Sequence, residues 1–363
     1  MTKTRKRLTI VGGGYLGSDF AKSLDSEMEV TLIERATHFT HAPAMIRAMV
    51  QPALLDQALI PYDGLLKHGH VVRGEAVSVD AAGVTLADGA RVEADYIVLA
   101  TGSSNLAPFR TASGDIAELR ANSDLWHKSL MTANTVLIIG AGAVGTELAG
   151  EIAHAHPGKT VTLVSSDTTL FPLTPGKMGQ SLHRKLNQMG VDVILGARAD
   201  TLPGRAAPAS GRVTLSNGQT IDADLVIPTV GSHALASLAE TLPGAALDAT
   251  KRVKLDKWLR PSDLPNVFAA GDMAATGDGM TIVGISRQKP WLEKTLKALA
   301  SGAQIDRLKP YAPWGNKAPI LVPLGPQRGS AFLMAFTGGD WITRMMKGRD
   351  LFLSKYRKLL GQT

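Results

Sequence analysis

Two glycine-rich loops with the same spacing constrain the fold of this 363-residue chain more than any other feature. One lies in LTIVGGGYLGSDFAKSL (8–24) and the other in VLIIGAGAVGTELAGEI (136–152). Each has the G-x-G-x-x-G spacing between an apolar, strand-like run and a run with helical spacing. This order is typical of a strand–loop–helix unit that binds a dinucleotide pyrophosphate at the helix N-terminus. The sequence therefore predicts two dinucleotide-binding units.

The first unit has every part that the mechanism requires. Gly12 is placed to make the tight turn, Gly14 to let the backbone approach a pyrophosphate, and Gly17 to let helix and strand pack closely. The following strand, EVTLIE, ends in Glu34, whose carboxylate can accept hydrogen bonds from an adenosine ribose. The alternative is an ordinary glycine turn, but strand, loop, helix and acidic strand end all agree with a nucleotide site.

The second unit differs at the end of its second strand. Gly140, Gly142 and Gly145 form the loop, and KTVTLVSS then ends at Ser165-Ser166 without a carboxylate. A missing carboxylate removes a ribose ligand and also removes repulsion against a 2′-phosphate. We therefore expect this site to accept NADPH as well as NADH, although no arginine stands at the strand end to favour NADPH.

Two more strands complete a recognisable set: YIVLATGS (96–103) and NVFAAGDMA (266–274). With the paired loops, they resemble the two-dinucleotide-binding-domain flavoproteins, in which the first loop holds FAD and the second NAD(P)H. The resemblance implies that the FAD-binding residues are Gly12, Gly14, Tyr15, Leu16, Gly17, Glu34, Arg35, Thr101, Gly102, Gly271 and Asp272. It implies that NAD(P)H is bound by Gly140, Gly142 and Gly145.

The same resemblance predicts an α/β fold with two Rossmann-like domains and a small α+β C-terminal unit. The FAD-binding domain is expected to be discontinuous, at 1–111 and 241–308, with the NAD(P)H-binding domain at 112–240 inserted into it. Residues 309–363 would form a β-rich and helical C-terminal domain ending in a basic amphipathic tail.

Composition excludes several kinds of chemistry. With no cysteine, the chain cannot form disulfides, thiolate metal sites or cysteine redox pairs, and we predict no metal site. The net charge of +7 suits an anionic partner. Nucleic acid is the weaker explanation of that charge, because aromatic residues are only 5% and no nucleic-acid-binding motif appears.

Localisation signals are few. No window reaches the roughly 18 continuous apolar residues of a membrane span, and the basic N-terminus runs straight into the first strand. Residue 2 is threonine, so the glycine needed for N-myristoylation is missing. We expect a cytoplasmic protein, peripheral on a membrane if its tail binds lipid.

The tail WITRMMKGRDLFLSKYRKLL (341–360) predicts an amphipathic helix that Gly348 divides in two. From Asp340 onward the chain has six Lys or Arg against two Asp, a net of +4. Basic residues beside an apolar face favour an anionic membrane surface. An ordinary helix packed on its own domain remains the alternative. The expected apolar stripe consists of Ile342, Met345, Met346, Phe352, Leu353, Tyr356, Leu359 and Leu360.

The most specific resemblance lies in KGRDLFLSKYRKLLGQ together with HFTHAPAMIRAMV. These segments resemble the ferroptosis-suppressor proteins, the apoptosis-inducing-factor-like group of NAD(P)H:quinone oxidoreductases related to type II NADH dehydrogenases. The resemblance implies transfer of electrons from the flavin to a ubiquinone, menaquinone or vitamin K type of quinone. Two alternatives stay open: a soluble ferredoxin or rubredoxin reductase, and an interaction protein that senses redox state by binding FAD and NADH.

Candidate catalytic residues follow from the same resemblance. Lys347 is the cation expected near the flavin, with Lys289 as the local alternative; an ordinary surface lysine is the other interpretation of each. Glu147 is expected beside the nicotinamide. Glu147 could bind the nicotinamide amide or relay protons; the alternative is an acidic residue that the helix dipole favours. His38 and His41 could donate to flavin or acceptor, or be structural. The oligomeric state, monomer or homodimer, is left open.

Overall fold

The structure is a computed structural model that describes residues 5–104, 109–111 and 113–362. Residue 112, beside which the expected domain boundary falls, lies outside the described residues. The strands and helices of the first part of the chain are β1 (Arg7–Val11), α1 (Tyr15–Leu24), β2 (Glu29–Glu34), β3 (His38–Thr40), α2 (Ala42–Ala48), α3 (Leu55–Ala58), β4 (Leu59–Pro61), β5 (His70–Arg73), β6 (Ala76–Asp80), β7 (Gly83–Leu86), β8 (Arg91–Glu93), β9 (Tyr96–Leu99) and β10 (Ser103–Ser104).

In the remaining chain, helices and strands alternate over residues 116–194, and three short strands come near the C-terminus. They are α4 (Ile116–Thr132), β11 (Thr135–Ile139), α5 (Ala143–Ala155), β12 (Thr160–Val164), α6 (Gly176–Gln188), β13 (Val191–Ile194), β14 (Ala209–Thr214), β15 (Thr220–Pro228), β16 (His233–Ala234), β17 (Val267–Ala269), α7 (Ile282–Ala300), β18 (Ile320–Leu324), β19 (Arg328–Phe332), β20 (Thr337–Gly338), α8 (Asp340–Thr343) and α9 (Leu353–Leu359). A π-helical turn, Arg344–Gly348, follows α8.

The first sheet is parallel, with strand order β17-β9-β1-β2-β5. Strands β1, β2, β9 and β17 are apolar and largely buried, as expected where both faces of a parallel sheet are covered. The edge strand β5 is only partly buried. One face packs on α1 and α7 through residues such as Phe20 and Leu292. The other packs on the three-stranded sheet β6-β7-β8 through residues such as Val84. Because β17 comes from far along the chain, the polypeptide leaves this sheet after β9 and returns to it later.

The second sheet has strand order β13-β12-β11-β15-β14, with the first four strands parallel and β14 antiparallel to β15. Helices α4, α5 and α6 cover one face through residues such as Trp126, Leu148 and Leu182. Both sheets therefore have the βαβ construction of Rossmann-like units, and the protein is an α/β protein with two of them. The exact domain limits stay a prediction.

The C-terminal unit is an antiparallel sheet, β18-β19-β20, followed by the helical tail. Helix α5 packs directly against β18, since a Cβ added at Gly150 would lie 2.5 Å from the Leu324 Cα. This contact places the C-terminal unit on the second nucleotide unit, next to the helix that begins at its glycine loop.

The tail departs from the expected single apolar stripe. Leu353 and Tyr356 are buried against the rest of the protein, whereas Met345 and Met346 are exposed. The reason is a turn at Leu351 and Phe352, both with positive φ, which separates α9 from the π-helical turn and changes its direction. The apolar residues of the tail therefore lie on two different surfaces.

Candidate functional site

The first glycine loop has a backbone that other residues could not adopt. Gly12 has φ +105°, and a Cβ there would lie 2.4 Å from the Ala100 oxygen. A Cβ at Gly17 would lie 1.8 Å from the Gly12 oxygen, so α1 approaches the loop as closely as backbone allows. Nothing lies within 4 Å of a Cβ at Gly14, at the N-terminus of α1. The open space at this helix end suits a phosphate group.

Glu34 closes the loop from the neighbouring strand. Its Oε2 accepts a hydrogen bond from the Gly13 N–H at 2.6 Å, and its Oε1 accepts one from the Ala36 N–H at 2.9 Å. An ionised carboxylate has about four acceptor positions, so both oxygens retain capacity for ribose hydroxyls. The contacts hold the carboxylate at the wall of a cleft.

That cleft brings together most of the residues assigned to FAD from the sequence. Among its lining residues are Gly12, Gly14, Tyr15, Leu16, Glu34, Arg35, Thr101, Gly102, Gly271 and Asp272. Gly17 lies beneath it, in the contact between α1 and the loop. Most of these residues lie at or just after the carboxyl ends of β1, β2, β9 and β17, which meet at one edge of the sheet. Their individual roles toward a bound cofactor stay predictions.

Two cleft residues were missed by the sequence analysis. The Ser103 Oγ donates a hydrogen bond to Asp272 Oδ2 at 2.7 Å, and Arg110 Nη1 donates one to the Ser103 oxygen at 2.8 Å. The Nε of Arg110 is buried and has no hydrogen-bond partner among the described residues. A lone arginine after a strand carries no spacing signal, so only the fold identifies it.

The residues of the cleft fit FAD. The unpartnered Arg110 nitrogen and the open helix end at Gly14 suit the anionic diphosphate. The pKa of Asp272 is raised by burial, and Ser103 and nearby Arg110 oppose only part of that rise. In either protonation state the carboxyl group keeps an oxygen that can accept. The side chain can therefore accept hydrogen bonds from hydroxyls of the cofactor chain.

The second glycine loop repeats the geometry of the first. Gly140 has φ +110°, and a Cβ at Gly145 would lie 1.9 Å from the Gly140 oxygen. Space beside Gly142 is open within 4 Å. Ser165 directly follows the second strand of this unit, β12. It is buried, and its Oγ accepts a hydrogen bond from the Asp167 N–H at 3.2 Å. No carboxylate occupies the position equivalent to Glu34.

The two candidate catalytic residues, Glu147 and Lys347, are in contact. Lys347 Nζ lies 2.5 Å from Glu147 Oε1, although the residues are 200 positions apart, and it also donates to the Leu321 oxygen at 3.3 Å. Both side chains are largely buried, with 12% and 4% exposed for Lys347 and Glu147. Burial raises the pKa of Glu147, and the lysine charge partly opposes that rise. Lys347 lies in the π-helical turn, a distortion frequent at functional sites.

A second buried ion pair, also missed from the sequence, adjoins the first. Arg47 Nη2 and Nε lie 2.8 and 2.9 Å from Glu151 Oε1, and Nη2 also donates to the Gly348 oxygen at 2.8 Å. Glu151 is one helical turn after Glu147 on α5. Arg47 thus connects α2, α5 and the turn that carries Lys347.

The remaining candidates lie elsewhere or have structural partners. His41 is fully buried, and its Nε2–H donates to the Leu351 oxygen at 2.6 Å; burial lowers its pKa to about 4. It fixes the turn before α9 and is absent from the cleft wall. His38 lines the cleft. Lys289 forms ion pairs with Glu293 of α7 at 2.8 Å and with Asp19 of α1 at 3.4 Å, so it lies between these two helices.

Comparison with known proteins gives full-length relatives. "Apoptosis-inducing factor homolog B" of Dictyostelium discoideum is 31% identical over 98% of this chain and 97% of that protein. "Ferroptosis suppressor protein 1" of Mus musculus is 25% identical over 98% of this chain and 96% of its own. The chain therefore aligns with these proteins from end to end, including the C-terminal unit.

Solved structures and family models agree on the fold. The sulfide:quinone oxidoreductase of Aquifex aeolicus has a TM-score of 0.77 at 16% identity, covering 98% of this chain and 92% of that one. The putidaredoxin reductase–putidaredoxin complex has a TM-score of 0.67 at 18% identity, and the match covers 91% of this chain and 81% of that chain. Models of the pyridine nucleotide-disulphide oxidoreductase family match residues 7–59 and 64–302. The chain belongs to this family of FAD- and NAD(P)H-binding oxidoreductases.

Proposed function

We propose that this protein transfers a hydride from NAD(P)H to FAD and the electrons onward to a quinone. Bound FAD would supply the hydride-accepting chemistry. The overall reaction consumes NAD(P)H, one proton and a quinone, and releases NAD(P)⁺ and a hydroquinone. The protein must therefore hold two nucleotides, position an acceptor and deliver a proton.

The buried contact between Lys347 and Glu147 carries this proposal. Resemblance assigns Lys347 to the neighbourhood of the flavin, where its positive charge would stabilise the negative charge that accumulates during reduction. Its burial leaves little water to screen that charge. Glu147, with its raised pKa, can hold a proton and release it to a nearby oxygen. A cation and a proton-holding carboxyl, side by side, are what reduction of a quinone carbonyl to a hydroxyl requires.

Other observations support the acceptor class. Since the chain has no cysteine, it has no disulfide of its own to reduce or to pass electrons through, despite the family's name. Resemblance to the ferroptosis-suppressor group, from the sequence around Lys347, points to quinones. The Aquifex aeolicus protein, which shares the fold of this chain, is itself named as a quinone oxidoreductase.

The experiment is steady-state turnover of the FAD-loaded protein with NADH and a short-chain, water-soluble quinone. We expect Lys347→Met to lower kcat by about a hundredfold, the effect of removing one preorganised electrostatic contact. Lys289→Met, which changes the alternative lysine, serves as the matched control and keeps wild-type turnover. Wild-type protein that reduces a ferredoxin or rubredoxin but no quinone would contradict the proposal. An FAD–NADH complex without turnover on any acceptor would favour a redox sensor.

We further propose that the C-terminal unit contacts an anionic membrane surface. Five large apolar side chains are 40–72% exposed within residues 334–346: Met334, Phe336, Trp341, Met345 and Met346. They adjoin the +4 net charge of the segment from Asp340 onward. Apolar groups beside basic ones suit a surface of anionic lipid. Among the described helices, none is long and apolar enough to span a bilayer.

Sedimentation with liposomes containing phosphatidylserine tests this contact. Replacement of Trp341 and Met345 by serine should reduce binding, whereas Leu173→Ser, at a 74% exposed leucine of the second nucleotide unit, should leave it unchanged. Charge reversal of Lys355, Arg357 and Lys358 should weaken binding most at low salt, because exposed charges are screened over about 8 Å at physiological ionic strength. Equal binding by wild type and both sets of variants would refute the membrane proposal.

A further inference from the structure

Three titratable side chains follow one face of α5. Glu147, Glu151 and His154 are spaced i, i+4 and i+7, so they lie above one another along the helix. Glu147 and Glu151 are each 3% exposed, whereas His154 is exposed. The face therefore runs from solvent at His154 to the buried pair of Glu147 and Lys347.

Each buried carboxylate uses only one oxygen for its cation. Lys347 contacts Oε1 of Glu147, and both Arg47 nitrogens contact Oε1 of Glu151. Among the described residues, neither Oε2 atom has a hydrogen-bond partner. Each Oε2 can take up a proton while Oε1 keeps its hydrogen bond to the cation, and the carboxyl group is then neutral until it releases that proton.

The proposed reaction needs such a route. Conversion of a quinone to a hydroquinone takes two electrons and two protons. The hydride of NAD(P)H provides both electrons and one proton, so the second proton must come from water. A quinone site closed off from solvent requires side chains to deliver it, because proton transfer needs groups within hydrogen-bond reach or one water apart.

We propose that protons reach the quinone along α5, from His154 to Glu151 to Glu147. This inference rests on the proposed quinone reduction and names the path of its second proton. Glu147 delivers the proton to the acceptor. Glu151 and His154 do not contact the acceptor; they resupply Glu147 with protons. Adjacent groups on a helix face have Cβ atoms about 5–6 Å apart, a separation that carboxyl groups and one water can bridge.

The surroundings of Glu147 and Glu151 bear on how readily these carboxyls take up and release a proton. Burial raises the pKa of both Glu147 and Glu151, so each carboxyl binds a proton more readily than an exposed glutamate does. Arg47 and Lys347 partly oppose this rise in the pKa of each carboxyl. His154 interacts electrostatically with Glu151 and lowers the pKa of that carboxyl.

The test compares two electron acceptors in the FAD-loaded protein. A water-soluble quinone needs a proton from solvent. Ferricyanide takes electrons one at a time, and its reduction by NADH releases a proton instead. We expect Glu151→Gln, which keeps the shape of the side chain, to slow quinone turnover at least tenfold while ferricyanide turnover stays within about twofold of wild type.

Further readouts separate proton delivery from a merely structural effect. Quinone turnover by Glu151→Gln should acquire a larger solvent deuterium isotope effect, because proton delivery becomes the slow step. His154→Ala should lose quinone turnover to a smaller extent and recover it with added imidazole. Asp340→Asn is the matched control: it breaks the 2.7 Å ion pair with Lys185, another contact between the C-terminal unit and the second nucleotide unit. It should leave both turnovers unchanged.

The outcomes distinguish this inference from the function on which it rests. A wild-type protein without quinone turnover overturns both. An active wild type with an equally active Glu151→Gln variant overturns the proton path alone. Equal losses with quinone and ferricyanide would also overturn it, since the substitution would then have damaged the site as a whole.

Discussion

The arginine of the second buried ion pair offers the sharpest test of the electrostatic reasoning. Arg47 is 6% exposed and makes three polar contacts, two to Glu151 Oε1 and one to the Gly348 oxygen. Arg47→Met keeps an unbranched apolar stem in the same space but removes the charge and all three contacts. We expect this variant to be strongly destabilised.

The magnitude follows from the charge left behind. Breaking a buried ion pair by removing one partner costs about 3–5 kcal/mol, because the remaining charge is desolvated without compensation. Replacing both partners by apolar residues of similar size is often neutral or stabilising. Arg47→Met/Glu151→Leu should therefore recover most of the lost stability, a coupling of at least about 2 kcal/mol between the two sites.

The stability that Arg47→Met loses should also depend on pH. Burial already raises the pKa of Glu151, and removing Arg47 raises it further. Between the unfolded value of about 4.3 and the raised folded value, the folded state binds more protons than the unfolded state. Stability contributed by the protonated carboxyl is thus lost as pH rises through this window. Arg47→Met should be closer to wild type at pH 5 than at pH 8.

Urea unfolding followed by far-ultraviolet circular dichroism, at pH 5 and pH 8, measures these differences for wild type, Arg47→Met and the double variant. Because the protein has more than one domain, transition midpoints are compared in preference to a single extrapolated free energy. If the single and double variants unfold at the same urea concentration at both pH values, Glu151 is not a buried charge that Arg47 compensates, and the reasoning fails.

Three further predictions concern the nucleotide sites. Arg110→Ala should weaken FAD retention on gel filtration at least tenfold, since a hydrogen bond to a charged group contributes about 1.5–3 kcal/mol; Arg91→Ala, in an exposed ion pair, should not. Ser165→Glu should lower kcat/KM for NADPH at least about tenfold relative to NADH, because a carboxylate would repel the 2′-phosphate; an unchanged ratio would place that phosphate elsewhere. Gly145→Ala should abolish flavin reduction by NADH but not by dithionite, because its Cβ would lie 1.9 Å from the Gly140 oxygen; normal reduction by NADH would show that the loop can shift.

Local backbone geometry is the part of this protein that the sequence alone determines. The close helix contacts at Gly17 and Gly145 are made to the oxygens of Gly12 and Gly140, in the same loops, and the positive φ of Gly12 and Gly140 is a local property of each turn. Such short-range requirements produce a fixed spacing of glycines that can be recognised in the sequence. For this reason the two nucleotide units, the α/β fold and the cofactor class could be predicted from the sequence.

Contacts between distant segments left no comparable signal. Lys347 and Glu147 were proposed separately, from resemblance, and no spacing in the sequence indicates that they pair across 200 residues. Arg47 and Glu151 were not identified at all. A buried charge looks the same in sequence as an exposed one, and its partner depends on how α2, α5 and the C-terminal unit pack together.

The tail shows the limit of helical periodicity. The sequence predicts one apolar stripe from Ile342 to Leu360, with a break at Gly348. Gly348 instead belongs to the π-helical turn, and the break lies at Leu351 and Phe352, where the chain changes direction. Tyr356 then packs into the core beside α1, while Met345 stays exposed. Periodicity reports which residues share a face only while one helix continues. Which face becomes buried is decided by the surfaces available in the folded protein, and only tertiary structure supplies those.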